Sequence, residues 1–331
     1  MPVLPAVLSA CQRSPRVIEA NGATMGTTYS IVAVDHDNTL DRAAIEAAIE
    51  ETLAEVNAQL SNWDAGSEVS RFNAAATTEP LPVSPAIRDV MVTADIVHRA
   101  SGGQFDVTLG PLIDAWGFGA ASAAPRTPTD AEISAALAAA GQSGMTIGDG
   151  TLAKPAPETE IFLSAIGKGY GVDRVAAALA ARGVTDYMVE IGGDLVTAGR
   201  NPDGVPWQIG VETPDAFTGG LQAVAAVSGL GMATSGDYRN YFEEDGVRYS
   251  HILDAQTGRP ITHTTASATV LTDSAMAADA WATAMLVLGE DRGLPIAEAE
   301  GLAVLFVSRA PGGATPRFVT RASSHFAALQ A

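Results

Sequence analysis

The stretch AMAADAWATAMLVLG, residues 275–289, predicts a long buried helix. Residues 272–274 provide side-chain oxygens that can cap its first turn, and Gly289 stands where a left-handed residue would end it. Apolar or small side chains cover nearly every side of this helix, a pattern typical of helices that are surrounded by a core. We therefore expect the other elements of the fold to pack around it.

Asp279 and Thr283 are the polar exceptions inside this helix. Their i, i+4 spacing puts both side chains on one face. A buried carboxylate is costly unless it is paired or binds a metal, and a threonine hydroxyl one turn away adds a hard oxygen that suits Mg²⁺. We interpret the two residues as metal ligands. The alternative is a structural aspartate that bonds to the backbone, beside a threonine that points inward.

The segment before this helix predicts a β-hairpin that carries a histidine. Residues 238–242 and 247–253 are rich in aromatic and branched side chains, and the acidic turn between them contains Gly246. A polar loop follows and turns the chain towards the helix. His251 is thus expected near the predicted metal ligands, whereas a histidine with a purely structural role is the alternative.

The remaining pattern mixes helices and strands without a regular βαβ repeat, which favours an α+β fold of mixed sheets with packed helices. Helices are predicted at 40–60, at 131–140, at 170–182, and from Pro85 with Ser84 as its N-cap. Strands are predicted at 27–34, 207–211, 222–227 and 302–307, with shorter ones at 161–163 and from Gln104.

Characteristic motifs follow one another along the chain. They are GATMGTTYSI (22–31), LSNWDAGSEVSRFN (60–73), GGQFDVTLGPLIDAWGFG (102–119), LSAIGKGYGVDRVA (163–176), MVEIGGDLVTAGRNP (188–202), ATSGDYRNYF (233–242), RYSHILDAQTGRP (248–260) and ADAWATAMLVLG (278–289). In this order they resemble the ApbE-type FAD:protein FMN transferases, also called flavin transferases. The resemblance covers nearly the whole chain after about residue 20 and implies a single ApbE-like domain.

This resemblance implies a reaction. FAD would donate FMN to a threonine or serine hydroxyl of a partner flavoprotein, and AMP would leave, with Mg²⁺ offsetting the phosphate charge. The hydroxyl is a weak nucleophile, and His251 is the candidate general base because histidine titrates nearest to neutral pH. The partners that the family implies are subunits of redox pumps or proteins of nitrous-oxide respiration.

The resemblance also assigns residues to the site. Trp63 would stack on the isoalloxazine ring, Lys168 would lie near the diphosphate, and the carbonyl of Ala165 would be a third metal ligand. Without the resemblance, the glycine-containing segment at 164–169 is a weak nucleotide signal, and Gly193 could simply belong to a tight turn. The implied flavin contacts are Met25, Trp63, Gln104, Phe105, Asp106, Lys168, Gly193, Asp194, Ser250 and Ile252.

Two other functions stay open at this point. With water as the acceptor, the same site would hydrolyse FAD to FMN and AMP. The protein could also be a flavin-binding lipoprotein without catalytic activity, since Phe162 stands where the resembling family usually has an aspartate that contacts FAD.

The composition narrows the range of partners. The chain has 331 residues, of which 47% are hydrophobic, so it is long enough for one large domain. Its formal net charge is −19, and no basic stripe is present to neutralise phosphates. This charge argues against binding to nucleic acid or to an anionic membrane surface. An anionic substrate would need a metal or a few well-placed cations.

The amino terminus contains the only cysteine, Cys11, in the motif LSAC. This motif resembles a bacterial lipobox, in which the signal is cut before a cysteine that then receives lipid. We therefore expect residues 1–20 to be a signal or lipobox remnant and residues 21–331 to be the transferase domain. The expected location is the periplasmic side of the bacterial inner membrane, with a lipid anchor as the membrane attachment. A flexible tail with an incidental cysteine is the alternative.

Overall fold

The computed structural model describes residues 15–119, 124–215, 219–311 and 317–330. Cys11 and the predicted lipobox lie outside these residues. The strands are β1 (Arg16–Thr24), β2 (Thr27–Asp35), β3 (Leu81–Pro82), β4 (Thr146–Ile147), β5 (Thr151–Ala153), β6 (Tyr187–Ile191), β7 (Asp194–Ala198), β8 (Trp207–Glu212), β9 (Leu221–Val227), β10 (Gly231–Gly236), β11 (Tyr241–Glu244), β12 (Val247–Ser250), β13 (Leu253–Asp254), β14 (Arg259–Pro260), β15 (Thr265–Thr272), β16 (Ala303–Arg309) and β17 (Phe318–Ala322). The helices are α1 (Arg42–Leu60), α2 (Glu68–Ala74), α3 (Pro85–Ala100), α4 (Gly110–Ala115), α5 (Asp130–Ala139), α6 (Gly167–Ala180), α7 (Ala275–Ala299) and α8 (Ser324–Ala327).

One large antiparallel sheet organises the described part of the chain. Its eight strands follow the order β1-β2-β6-β7-β10-β15-β16-β17, and each neighbouring pair is antiparallel. Smaller sheets form from β3-β5-β4, β8-β9, β11-β12 and β13-β14. Helices pack on the large sheet without parallel βαβ crossovers in the described residues. The α+β class that the sequence predicts is therefore confirmed.

The first two strands form a hairpin with a two-residue turn. Met25 and Gly26 occupy this turn with φ angles of 49° and 72°, the positive values that a type I′ turn requires. Strand β1 begins at Arg16 and pairs with β2 along its whole length. The sheet thus includes residues that precede residue 21, where the sequence predicts the domain to begin.

The predicted long helices are present. Asp41 caps α1 by accepting a hydrogen bond from the amide of Ala43 at 2.9 Å, and Ser84 caps α3. The predicted inward face of α1 is buried and consists of Ile45, Ile49, Leu53, Val56 and Leu60. Among the described helices, none is long and apolar enough to cross a membrane.

Helix α7 is buried and lies against α6, β10 and β15, as its composition predicts. Ser274 caps its first turn, accepting a hydrogen bond from the amide of Ala277 at 3.1 Å. Gly289 interrupts the helix with φ 69° and ψ 172°, and a second helical stretch then runs to Ala299. The predicted end at Gly289 is therefore a break, after which the chain becomes helical again.

Two predictions for residues 161–170 need correction. The segment 161–163 is not a strand, because side-chain amides take the place of a neighbouring strand. Asn73 Oδ1 accepts from the amide of Ile161 at 2.9 Å, and Asn62 Oδ1 accepts from the amide of Leu163 at 2.9 Å. Helix α6 begins at Gly167, three residues before its predicted start.

The segment that begins at Gln104 is a series of turns and not the predicted strand. Its backbone groups bond to side chains of α3 and of the segment around Gln142. In the hairpin that precedes α7, strand β12 ends at Ser250, so His251 follows the strand instead of lying within it. Both departures place polar residues in loops that face one cavity.

Candidate active site

A cavity of about 670 Å³ lies where β8, β10 and α7 meet the loops around residues 104–109 and 162–165. Cavities of this size are typical of small-molecule sites. Residues from distant parts of the sequence reach it only because the chain folds around α7. The predicted site residues that line it are Trp63, Gln104, Phe105, Asp106, Ala165, Lys168, Gly193, His251, Ile252, Asp279 and Thr283.

Asp279 is 2% exposed, and two donors make three hydrogen bonds to its carboxylate. Lys168 Nζ lies 3.1 Å from Oδ1 and 3.3 Å from Oδ2, and the amide of Gly169 donates to Oδ2 at 3.1 Å. Hydrogen bonds from a cation and from a helix amide stabilise a carboxylate that has lost its water. The buried aspartate predicted from the sequence is therefore present, and its first partner is a lysine in the first turn of α6.

Asp194 lies behind Lys168 and does not line the cavity, contrary to the expectation that it faces the ligand. Its Oδ2 is 2.7 Å from Lys168 Nζ, although the two atoms lack the alignment of a hydrogen bond. Burial, followed by the negative charge of Asp279, raises the pKa of Asp194 to about 8. Burial disfavours the charged form of Lys168, but the two carboxylates outweigh this effect and raise its pKa.

Residues with neutral oxygens line the same cavity as Asp279. Thr283 Oγ1 is 3.0 Å from Ser235 Oγ, and both residues line the cavity with Ala165. The amide of Gly169 lies in the first turn of α6, where it has no carbonyl partner within the helix, and it donates to Asp279. In the described residues no group of three or more His, Cys, Asp or Glu side chains is arranged around a metal position. This donor set consists of one carboxylate with neutral oxygens beside it.

His251 is half-buried at the cavity wall, directly after β12. Its Nδ1 lies 2.9 Å from the carbonyl oxygen of Asn240. Because a carbonyl oxygen can only accept, Nδ1 carries the proton, and in the neutral ring Nε2 keeps its lone pair. Burial lowers the pKa of His251 from its ordinary value, and the bond to Asn240 and the charge of Asp237 partly oppose this shift. The imidazole is thus held in a form that can accept a proton at Nε2.

Trp63 is 65% exposed and stands between two cavities. The second cavity, of about 180 Å³, shares Trp63, Ser164 and Lys168 with the first. Met25, an implied flavin contact, lines this smaller cavity and not the larger one. An exposed aromatic ring at the junction of two cavities offers a flat surface to a planar ligand.

The segment from Gln104 to Asp106 forms one wall of the larger cavity. Gln104 and Phe105 are each 2% exposed, and Asp106 Oδ1 accepts the amide of Thr108 at 2.6 Å. In the orientation of its side-chain amide that pairs donors with acceptors, the nitrogen of Gln104 donates to Asp254 Oδ2 at 3.3 Å. These side chains are anchored within the protein, so their positions are set before a ligand binds.

Ser250 is also an implied contact that does not line the larger cavity. It is buried, and its Oγ accepts the amide of Ile252 at 3.2 Å, so it shapes the loop that carries His251. Two residues that sequence reasoning missed are Ser235, beside Thr283, and Asn240, which orients His251. Both belong to the motif ATSGDYRNYF, and that motif was the available signal.

Comparison with known proteins identifies a family for this fold and cavity. The model of the ApbE family matches residues 25–306. An FAD:protein FMN transferase of Vibrio cholerae serotype O1 is 42% identical over 320 residues, covering 97% of this chain and 95% of that protein. One of Haemophilus influenzae is 41% identical over 331 residues, covering 97% of this chain and 94% of that protein.

Solved structures agree with this result. The flavin transferase ApbE from Vibrio cholerae superposes with a TM-score of 0.87 at 42% identity, over 95% of this chain and 99% of that chain. The apo flavinyl transferase ApbE of Pseudomonas stutzeri has a TM-score of 0.87 at 39% identity, over 95% and 97% of the two chains. The family and the single-domain α+β fold that the sequence predicts are confirmed. The chain belongs to the ApbE family.

Proposed function

We propose that the protein is an enzyme that transfers FMN from FAD to a threonine or serine hydroxyl of a partner flavoprotein and releases AMP. The observation that carries the proposal is the larger cavity, which is lined by His251 together with Lys168, Asp279 and Thr283. Relatives named FAD:protein FMN transferase, 41–42% identical over nearly the whole chain, support the same reaction.

The proposed reaction forms one bond to phosphorus and breaks another. The acceptor oxygen attacks the FMN phosphorus of FAD, and a new phosphoester bond forms. The bond from that phosphorus to the bridging oxygen breaks, and AMP leaves with the electron pair. His251 Nε2 takes the proton of the acceptor hydroxyl, which makes the oxygen a better nucleophile. Lys168 supplies positive charge next to the diphosphate.

The donors around Asp279 fit a bound Mg²⁺. One buried carboxylate, the hydroxyl of Thr283 and the carbonyl of Ala165 are hard oxygens, and all three residues line the cavity. Mg²⁺ is commonly held by one or two carboxylates together with substrate phosphates and water. When bound, it would offset the charge of the diphosphate and of the departing AMP.

One assay separates this function from its alternatives. The protein is mixed with FAD and Mg²⁺, with and without an acceptor domain, and AMP release is measured by chromatography. AMP that requires the acceptor, together with a covalently fluorescent acceptor band, supports the transferase. AMP without any acceptor indicates FAD hydrolysis, and no AMP in either mixture indicates a flavin-binding protein without this activity.

The acceptor itself provides the matched control. Replacing its target threonine by valine keeps the shape of the side chain but removes the nucleophilic oxygen, so a transferase should release no AMP with that variant. Subunits of redox pumps and proteins of nitrous-oxide respiration are the acceptors that we propose to test. Labelling of either one at a single threonine or serine would identify the partner.

We also propose a periplasmic location with a lipid anchor at Cys11. The motif LSAC supports this proposal. The full-length protein, expressed in a bacterium with a labelled fatty acid, should fractionate with membranes and carry the label. Cys11→Ser should release it and abolish labelling. An unlabelled wild-type protein in the soluble fraction would contradict the proposal.

A further inference from the structure

The cavity wall formed by residues 104–106 depends on buried side chains that do not touch the cavity. This segment is not part of a sheet, so its backbone groups need other partners. Ser101 Oγ accepts the amide of Phe105 at 3.1 Å, and His98 lies 2.7 Å, through Nδ1, from the carbonyl oxygen of the same residue. Both polar backbone groups of Phe105 are therefore bonded to the end of α3.

His98 is held in one orientation. It is 7% exposed, and its Nε2 lies 2.8 Å from Ser143 Oγ. Since the carbonyl of Phe105 can only accept, Nδ1 carries the proton, and Nε2 accepts from the hydroxyl of Ser143 in the neutral ring. Each ring nitrogen thus has a partner, and rotation of the ring would break both bonds.

Gln142 completes this support. Its Oε1 accepts the amide of Val107 at 2.6 Å, and its Nε2 donates to the carbonyl of Ala94 at 2.8 Å. The side chain connects the segment to the middle of α3. The segment is therefore anchored at two successive points to the same rigid helix.

We propose that His98 is a positioning residue for flavin binding, which fixes the backbone of Phe105 so that Gln104 and Asp106 face the ligand at a set distance. The inference rests on the proposed function for the identity of the ligand. A bond from a helix side chain makes a loop precise enough for a binding site, and a displacement of about 1 Å can reduce activity by roughly 10²-fold.

Three variants distinguish the two bonds of His98. The amide nitrogen of asparagine is as many bonds from Cβ as Nδ1 is, so His98→Asn can still donate to Phe105. The amide of glutamine corresponds to Nε2, so His98→Gln keeps the contact with Ser143 and loses the one with Phe105. Ser143→Ala does the reverse and leaves the bond to Phe105 in place.

The first measurement is the dissociation constant of FAD by flavin fluorescence, together with KM, kcat and the melting temperature. We expect His98→Gln to weaken FAD binding and raise KM by about 5- to 100-fold, with a smaller change in kcat. His98→Asn and Ser143→Ala should stay within a few-fold of wild type. Equal losses in both His98 variants, in proportion to their melting temperatures, would overturn the proposal in favour of a structural role.

The second measurement needs no FAD. Hydrogen exchange of the peptide that contains Phe105 and Val107 should be faster in His98→Gln than in wild type and close to wild type in His98→Asn. Unchanged exchange in His98→Gln would overturn the proposal even if the transferase activity is established. Conversely, a wild-type protein that binds FAD but transfers no FMN would contradict the proposed function and leave the positioning role supported by binding and exchange.

Discussion

Lys168 Nζ lies 3.1 Å from Asp279 Oδ1, so an ammonium group contacts the carboxylate that we propose as a metal ligand. The same ammonium lies 2.7 Å from Asp194 Oδ2. Two buried carboxyl groups share one lysine, and burial together with the charge of Asp279 raises the pKa of Asp194, so a second negative charge is disfavoured there. A divalent cation bound at Asp279 would weaken the repulsion between the two carboxyl groups, and the diphosphate of FAD would attract Lys168 towards the ligand. We therefore expect the binding of the cation and the binding of FAD to depend on each other through the charges of Lys168 and Asp279.

The first prediction concerns the metal. Asp279→Asn should raise the Mg²⁺ concentration for half-maximal AMP release by at least about 10- to 100-fold, the scale known for residues that merely support metal ligands. The reason is that a hard divalent cation is attracted mainly by a full carboxylate charge. Thr283→Val should act in the same direction but more weakly, because it removes a neutral hydroxyl. Mg²⁺ titrations of activity measure both effects.

Thermal melts provide the control for this prediction. In Asp279→Asn, Lys168 keeps its ion pair with Asp194, and α7 keeps its apolar contacts, so the fold should persist. A structural aspartate would give the opposite pattern, with a lower melting temperature and an unchanged Mg²⁺ requirement. If the Mg²⁺ concentration for half-maximal activity were the same in both variants as in wild type, Asp279 and Thr283 would not be metal ligands.

The second prediction concerns His251. His251→Ala should reduce kcat by about 10²- to 10⁴-fold, the usual contribution of a general base, while FAD binding stays similar. Burial lowers the pKa of His251, so the wild-type rate should fall on the acid side of the profile with a midpoint below 6.5, as the ring gains a proton at Nε2. Rate measurements against pH should show this acid limb in wild type and none in the variant.

An exposed histidine serves as the comparison for this experiment. His325 lies on the surface in α8, so His325→Ala should leave both kcat and the pH profile unchanged. If His251→Ala weakened FAD binding as strongly as it slowed the reaction, the residue would be a ligand contact and not a base.

The third prediction concerns stability against pH. The pKa of Asp194 is about 8 in the folded protein and 3.8 ordinarily, so between these values the folded state binds more protons than the unfolded state. This stabilising contribution is complete below the ordinary pKa and is lost as pH rises towards 8. Asp194→Asn does not titrate, so its free energy of unfolding should fall less steeply from pH 5 to pH 8. Urea unfolding at each pH measures this free energy. If it changed with pH equally in the variant and in wild type, the titration of Asp194 would not contribute to stability.

The elements with local signals were predictable from sequence. The buried face of α1, the cap of α3 at Ser84 and the break at Gly289 all follow from side-chain spacing or from a single residue that tolerates the required backbone. His251 and Asp279 line the same cavity, as the hairpin and the following helix predicted.

The predicted strands at 104 and 161–163 show where local reasoning failed. Strands are predicted for both segments, yet side chains distant in sequence complete their hydrogen bonds. In the segment 161–163, backbone amides donate to Asn62 and Asn73, which lie about 90 to 100 positions earlier in the sequence. In the segment that begins at Gln104, a backbone amide donates to Gln142, which lies 35 positions later. Such pairings depend on the tertiary fold and leave no periodicity in the sequence. The pairing of Lys168 with Asp194 was missed for the same reason.

The last prediction tests the close approach of α6 to α7, which sets the position of Lys168 relative to Asp279. A Cβ on Gly169 would lie 2.2 Å from the carbonyl oxygen of Ala275, so Gly169→Ala forces the two helices apart. The expected cost is about 1–3 kcal/mol of unfolding free energy, the usual penalty for overpacking. Because the amide of Gly169 also bonds Asp279, FAD binding should weaken as well.

Gly167 is the matched control in the same helix turn, since a Cβ there would meet nothing within 4 Å. Gly167→Ala should therefore leave the stability unchanged or raise it by about 0.4–1 kcal/mol, because alanine restricts the unfolded chain more than glycine does. Urea unfolding of both variants measures the difference. If the two substitutions had equal effects, glycine at position 169 would reflect helix propensity alone, and the spacing of the two helices would not determine the geometry of the lysine and the aspartate.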